Sequence, residues 1–311
     1  MLVVERRWGC LGVPSSAGAR TPGLEKGPAA IRAAGLLGSF DRGQESIEDH
    51  GDIAGFRWRP DPDHLGGQNG TAVAGVAAAT ADAVSEILSL GQIPLVIGGD
   101  CTITIGVVAG FVRSGLKPAL LYVDGGPDLY TPGASSIGHL DAMGLAHMLG
   151  LAGHLPEIGG IGPSVPLLEP RDVVSYGAYL DEDDPEQILL DQLEILDISA
   201  AEIHEDVPAA AARAREHVEN ISFGFVVHCD ADVLAFADTP LADSPDSGGD
   251  PIGLSLDELT TSLATFAASP RFAGIVLTEV NPDHAPGPED IRRFTTAVGA
   301  ALAVTPARPV G

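Results

Sequence analysis

The sequence predicts an α/β protein built on a mostly parallel sheet, and three observations predict it. Short apolar runs recur along the chain, each followed by Gly, Pro or Asp. Stretches with helical spacing of apolar residues lie between them. No Pro/Ser-rich linker divides the alternation, so residues 1–311 read as one domain. Strands that alternate with helices imply parallel βαβ units, whose strands are covered on both faces and so read as continuous apolar runs.

Taken in order, Trp8–Val13 is the first strand-like run. Thr71–Leu90 is Ala-rich and apolar at helical spacing, and Ile93–Ile97 after it reads as a short buried strand. Thr102–Val112 is a helix candidate, Ala119–Val123 a strand and Leu140–Leu149 a helix. Val173–Leu180 and Leu193–Ile198 are strands on either side of a helix over Asp184–Gln192. That helix has a strong start, with Asp184 as N-cap and Pro185 in the first turn. Pro208–Val218 is a helix and Phe223–His228 a strand. The last units are Leu256–Ala267 (helix), Phe272–Thr278 (strand) and Glu289–Ala303 (helix). Pro60–Gly70 is the most polar connection, and Gly51-Asp52 reads as a turn.

At 311 residues, 45% hydrophobic and with a mean hydropathy of +0.19, the chain can bury a large core. No apolar run reaches membrane-spanning length, and residues 1–7 lack a signal-peptide core. Three widely spaced cysteines argue against a disulfide framework, so a reducing cytoplasm is the expected location. A net charge of −26 argues against nucleic acid and anionic membranes as partners. Its ordinary meaning is a solvated acidic surface, so it says little about catalysis.

Function in an open parallel sheet sits at the carboxyl ends of strands. Four strand-like runs end in acidic motifs there. Ile93–Ile97 leads into Asp100-Cys101, Ala119–Val123 into Asp124, Phe223–His228 into Asp230 and Phe272–Thr278 into Glu279. The Gly-Gly-Pro turn between Asp124 and Asp128 can fold both carboxylates onto one point. Asp230 and Asp232, two apart, share a face if extended. Any one of these is ordinarily a helix cap or a solvent contact. Together they would repel unless protons or a cation neutralised them. Clusters of this kind bind hard divalent cations, and a water between two such ions becomes a nucleophile.

These motifs, in this order, resemble the arginase/agmatinase (ureohydrolase) family. The opening segment Gly12–Gly18, Gly23–Pro28 and Ile31–Leu36 follows the family's own. Gly98-Gly-Asp-Cys101 looks like its GGDH motif and Asp124-Gly-Gly-Pro-Asp128 like DAHxD. His228-Cys-Asp-Ala-Asp232 looks like SFDxD and Thr278-Glu-Val-Asn-Pro282 like xEVNP. The resemblance implies a three-layer α/β/α sandwich around a mostly parallel, roughly eight-stranded sheet. It also implies two Mn²⁺ ions and a trimer or hexamer. Carried over, Cys101, Asp124, Asp128 and Asp230 would surround one ion, while Asp124, Asp230 and Asp232 would remain around the other. Glu279 would hold a substrate nitrogen.

The departures from the family pattern fall on its imidazoles. Cys101 and Gly126 stand where the resemblance expects ligating histidines, and Asp141 stands for the proton-shuttling histidine, with His139 two positions earlier. A soft thiolate at 101 would favour zinc or iron over manganese, and Gly126 leaves one ion better furnished than two. Tyr130 and Ile137 lie in the loop expected to bind an amino-acid carboxylate, with Ser135 between them, and Asp184 is the nearest match to an acid that meets the substrate's amino group. Free arginine is therefore not the expected substrate.

Three readings stay open. The first is a metal-dependent hydrolase of a C–N bond in a guanidino, amidino or amide compound. In it a metal-bound hydroxide attacks, Glu279 orients a small-molecule substrate, and His139 or Asp141 moves protons. The second is a metal-free enzyme with Cys101 as nucleophile, activated by His139 or His228. The third is a non-catalytic scaffold or partner subunit. Cys10 and Cys229 read as core residues, and Cys229 faces away from His228 and Asp230 by strand alternation.

Overall fold

The computed structural model describes residues 6–40, 45–133, 138–242 and 252–303. Within them the apolar runs form β1 (Arg6–Gly12), β3 (Ile93–Ile97), β4 (Ala119–Val123), β5 (Val173–Tyr176), β6 (Leu196–Ile198), β7 (Phe225–Asp230) and β8 (Phe272–Thr278), and a further strand, β2 (Glu45–Asp52), joins them. They make one sheet in the order β2-β1-β3-β8-β7-β4-β5-β6, and every neighbouring pair is parallel. The α/β class and parallel sheet expected from the sequence are both present.

The helices are α1 (Gly27–Ala33), α2 (Gly70–Ser89), α3 (Ile103–Arg113), α4 (Gly144–Met148), α5 (Pro156–Gly159), α6 (Pro185–Gln192), α7 (Ala200–Glu205), α8 (Val207–Ile221), α9 (Leu256–Ala267) and α10 (Pro288–Leu302). They cover both faces of the sheet. Leu121 and Val123 of β4 join a core with α1 and α7 to α10, whereas Leu120 and Tyr122 join a second core with α2, α3 and α4. This alternation is the side-chain period of two that a strand imposes.

Three expectations are corrected. Gly51-Asp52 is the end of strand β2, not a free turn. β2 reads ESIEDHGD, with Ile47 its one apolar side chain, so no apolar run marks it. As an edge strand it is held by its pairing with β1 and by Arg32, whose guanidinium binds Asp49 at 2.9 Å and Asp52 at 2.5 Å. Charges on a sheet edge also discourage pairing with another chain. Leu140–Leu149 is not one helix: a 3₁₀ turn over Asp141–Met143 precedes the short α4, with Ala142 at φ −71°, ψ 19°. Finally, α2 is long and apolar enough, by length and composition, to cross a membrane. In this fold it lies against α3, with Val73, Ala77, Ala81 and Val84 buried.

Candidate functional site

Strands β3, β8, β7 and β4 are the four central neighbours of the sheet, and they are the four that carry acidic motifs. Their register is level. Val123 pairs with Cys229, Cys229 with Leu277, and Leu277 with Ile97. Asp124, Asp230, Thr278 and Gly98 therefore leave the sheet together, at its carboxyl edge.

The loops beyond that edge are fixed by backbone contacts. Gly99 lies so close to Ser15 that a Cβ would sit 1.7 Å from the Ser15 carbonyl oxygen. Asp100 next to it is wholly committed, accepting from Gly18 N at 3.2 Å, Thr102 N at 3.1 Å, and the hydroxyls of Ser15 and Thr102. It organises the opening segment rather than the site. Glu279 N donates to Gly99 O at 2.8 Å, which ties β8's exit to β3's. Asp128 (φ 52°) and Glu279 (φ 60°) both adopt the left-handed conformation, which disfavours non-glycine residues by about 1–2 kcal/mol. Strain of this kind persists only where the surroundings over-determine it, and it clusters at functional sites.

At the centre, the Cys101 thiol donates to Asp230 Oδ2 at 2.6 Å and lies 3.6 Å from His228 Nε2. His228 Nε2 is also 3.1 Å from Asp124 Oδ2, while its Nδ1 is 2.7 Å from the Thr104 hydroxyl on α3. Its ring stacks on Tyr122, with centroids 4.0 Å apart and planes within 14°. Tyr122 in turn donates its hydroxyl to Asp128 Oδ2 at 2.5 Å. The remaining carboxylate oxygens are oriented by amides: Gly126 N to Asp124 Oδ1 (2.8 Å), Asp232 N to Asp230 Oδ1 (2.6 Å) and Gly125 N to Asp232 Oδ1 (3.0 Å). Asp141 accepts from Cys101 N at 2.7 Å and is hydrogen-bonded to Glu279.

Burial and mutual repulsion set the electrostatics. Burial first, and then neighbouring carboxylates, hold Asp124, Asp128 and Asp230 well above the ordinary aspartate range. Asp141 is pushed up to about 7 by burial and Asp100. Burial, then Asp230, holds the Cys101 thiol well above its usual value. Burial lowers His228 to about 3, so its imidazole is neutral. Burial and mutual repulsion thus favour the protonated carboxyls around a neutral ring, and a divalent ion bound among them would displace protons.

The donor set fits such an ion. One atom each from Cys101, Asp124, His228 and Asp230 lie within 4.8 Å of one another, and all four residues are buried. Cys101, Asp141 and Glu279 form a second group of the same spread. A second ion is less well provided for. A Cβ at Gly126 would meet only Glu186 Oε2, at 3.9 Å, so no side chain stands where the second imidazole was expected.

The residues singled out from sequence are thus brought together unequally. Cys101, Asp124 and Asp230 converge. Asp128 and Asp232 lie beside them, engaged by Tyr122 and Gly125. His139 is half-buried, accepts from Arg20 Nε at 3.4 Å, and is lowered to about 4 by burial and Arg20. Asp184 caps α6 by accepting from Glu186 N at 2.8 Å. Tyr130 lines a cavity of about 420 Å³ with Leu129, Pro185 and Glu186. Ser135 and Ile137 lie outside the described residues.

Thr104, Tyr122 and Glu186 belong to none of the sequence motifs, and His228 reads from sequence as a core residue or an activator of Cys101. Glu186 is buried, accepts from Leu129 N at 2.7 Å, and is raised to about 7 by burial. For His228 and Tyr122 the signal was the strand period of two, counted back from Asp230 and Asp124.

Comparison with known proteins agrees with this fold. The model of the arginase family matches residues 6–306. Over 307 residues the chain is 29% identical to arginase-1 of Oryctolagus cuniculus, covering 95% of this chain and 91% of the relative. It is 32% identical to the arginase of Brevibacillus brevis over 282 residues, 88% of this chain and 89% of the relative. The solved arginase of Bacillus caldovelox superposes with a TM-score of 0.83 at 24% identity, covering 97% and 99% of the two chains.

Proposed function

The chain belongs to the arginase family, and from that premise we propose that it hydrolyses a C–N bond in a guanidino, amidino or amide compound other than free arginine. At least one divalent cation would sit among Cys101, Asp124, Asp128, Asp230 and Asp232 and would serve the reaction. The supporting observation is that buried carboxylates from adjacent strands meet at one level, each raised by burial and by its acidic neighbours. Such an arrangement is costly without a positive charge to neutralise it. The cation supplies Lewis acidity and an acidified water.

The chain's own residues supply the rest. Glu279, fixed by its bond to Gly99 O and by its left-handed backbone, presents a carboxylate to a substrate nitrogen. Asp141, beside Glu279 and Cys101 N, is placed to hold or release a proton. By the family resemblance Tyr130 lies in the loop where small polar groups would grip an amino-acid carboxylate, which argues against arginine itself. The free cysteines Cys10, Cys101 and Cys229 support the expected cytoplasmic location, and the family resemblance supports a homo-oligomer.

A nucleophilic Cys101 is the weaker reading. Its thiol is 2% exposed and held protonated among carboxylates, whereas the nucleophile must be the thiolate. Elemental analysis of protein purified without chelator, with ammonia and urea release from a panel of guanidino, amidino and amide compounds, tests the proposal. At least one equivalent of metal and turnover abolished by EDTA are expected. Turnover unchanged in EDTA would overturn it.

A further inference from the structure

We infer that His228 is a metal ligand, and that with Cys101, Asp124 and Asp230 it makes a single sulfur–nitrogen–oxygen site for a zinc-class cation. This inference rests on the reading of the cleft as a metal centre. It adds a ligand and a metal class that the motif resemblance does not supply, since the resemblance places serine at position 228.

The geometry carries it. Position 101 exchanges an expected imidazole for a thiol, and position 228 brings an imidazole in. Their side chains end 3.6 Å apart. The two exchanges are complementary: the nitrogen donor has moved from the start of α3 onto β7, within the same pocket. His228 lies two residues before Asp230, so both side chains leave the same face of β7. Its Nε2 faces Asp124 and Cys101, and all four donor atoms lie within 4.8 Å of one another.

The ring is also held as a ligand should be. Nδ1 is 2.7 Å from the Thr104 hydroxyl and one ring face is stacked on Tyr122, so Nε2 is fixed toward the carboxylates. A partner on the second ring nitrogen is the usual device for orienting a ligating histidine. No part of the ring is exposed to solvent.

The donor chemistry selects the ion. One thiolate, one imidazole and two carboxylates are all ligand types that zinc accepts, and catalytic zinc can expand to five-coordinate, which leaves a position for the water of the hydrolase reading. Thiolate favours zinc or iron over manganese, for which oxygen donors are better suited. On binding, the Cys101 S–H bond breaks, its proton passes to solvent and the sulfur pair goes to the ion.

The test uses the full-length protein, stripped with chelator and titrated with Zn²⁺, Co²⁺ and Mn²⁺. Zinc at one equivalent and a sulfur-to-cobalt charge-transfer band in the near ultraviolet are expected, with manganese binding more weakly. Cys101→Ser should abolish that band. His228→Ala should weaken zinc at least about 100-fold and Thr104→Val about 10–100-fold, the range for loss of a ligand-orienting partner. Because His228→Ala empties a buried position, X-ray absorption of the unmutated zinc protein is the independent reading. One sulfur and one imidazole bound directly to the ion are expected. An oxygen-only set of ligands, a set without imidazole scattering, or manganese preferred over zinc would overturn the inference. A His228-dependent zinc site in a protein that cleaves none of the test compounds would overturn the hydrolase reading alone. EDTA-sensitive turnover with zinc affinity unchanged in a folded His228→Ala would overturn this inference alone.

Discussion

The Cys101 thiol donates to Asp230 Oδ2 across 2.6 Å, and burial and the carboxylates around them shift both groups toward their protonated forms. A cation that binds there must therefore expel protons. Apparent affinity is expected to rise with pH across the neutral range, and calorimetric titration in two buffers of different ionisation enthalpy should show release of about one proton or more per ion. Equal heats in the two buffers would mean that the donors are already ionised in the free protein, contrary to their burial among like charges.

The same groups set the pH dependence of stability in the chelated protein. Asp141 and Glu186 have ordinary values of 3.8 and 4.5 but stand at about 7 in the fold. The folded state thus binds more protons than the unfolded one. Their contribution is whole below about pH 4 and is lost as pH rises through 7, by about 1.4 kcal/mol per pH unit for each proton by which the two states differ. Asp124, Asp128 and Asp230 act in the same sense. His228 and His139, lowered to about 3 and about 4, act oppositely, losing stability as pH falls below their ordinary 6.5. The carboxyls outnumber the imidazoles, so thermal melts in EDTA should show a falling Tm from about pH 5 to 8. Saturating metal should flatten or reverse that fall. A Tm that rises over this range in EDTA would contradict the assignment.

Glu279 separates stability from function. Its φ of 60° is one that glycine adopts freely and glutamate does not. Glu279→Gly should relieve about 1–2 kcal/mol of backbone strain while removing a buried acidic side chain. The expected outcome is a Tm equal to or above that of the parent, with turnover lower by about 100-fold or more. Urea unfolding alongside steady-state assay checks both halves. A variant that is active and less stable would make Glu279 a structural residue.

What could be read from the sequence follows physical lines. The central strands were legible because burial on both faces makes them continuous apolar runs: Ile93–Ile97, Ala119–Val123 and Phe272–Thr278 form as expected from end to end. β2 was not legible, because an edge strand with only Ile47 to bury has no apolar run to show. The carboxylates were legible for the same reason as the strands, since each follows an apolar run at a position where function collects. His228 was not, because it lies inside such a run, where a histidine is ordinarily a satisfied core residue. Only the side chains from other elements, Thr104 on α3 and Tyr122 on β4, reveal which way its nitrogens point.

Gly126 offers the reverse experiment. The structure leaves room for a side chain there, because an added Cβ meets nothing nearer than Glu186 Oε2 at 3.9 Å. Its φ is not in the left-handed region, so a histidine costs no backbone strain. Gly126→His would restore the imidazole that the family resemblance assigns, with Asp124, Asp230 and Asp232, to a second ion. The variant should fold with a Tm within a few degrees of the parent, a surface-like change of about 0.5 kcal/mol. It should also raise manganese uptake toward two equivalents, because the second set would then be one nitrogen with carboxylate oxygens rather than a set containing sulfur. Elemental analysis after dialysis against Mn²⁺, with and without the substitution, reads the difference. If stoichiometry is unchanged in a folded Gly126→His, the gap at 126 is not what limits the second ion, and the shortage must lie with Asp232, whose Oδ1 is already engaged by Gly125 N.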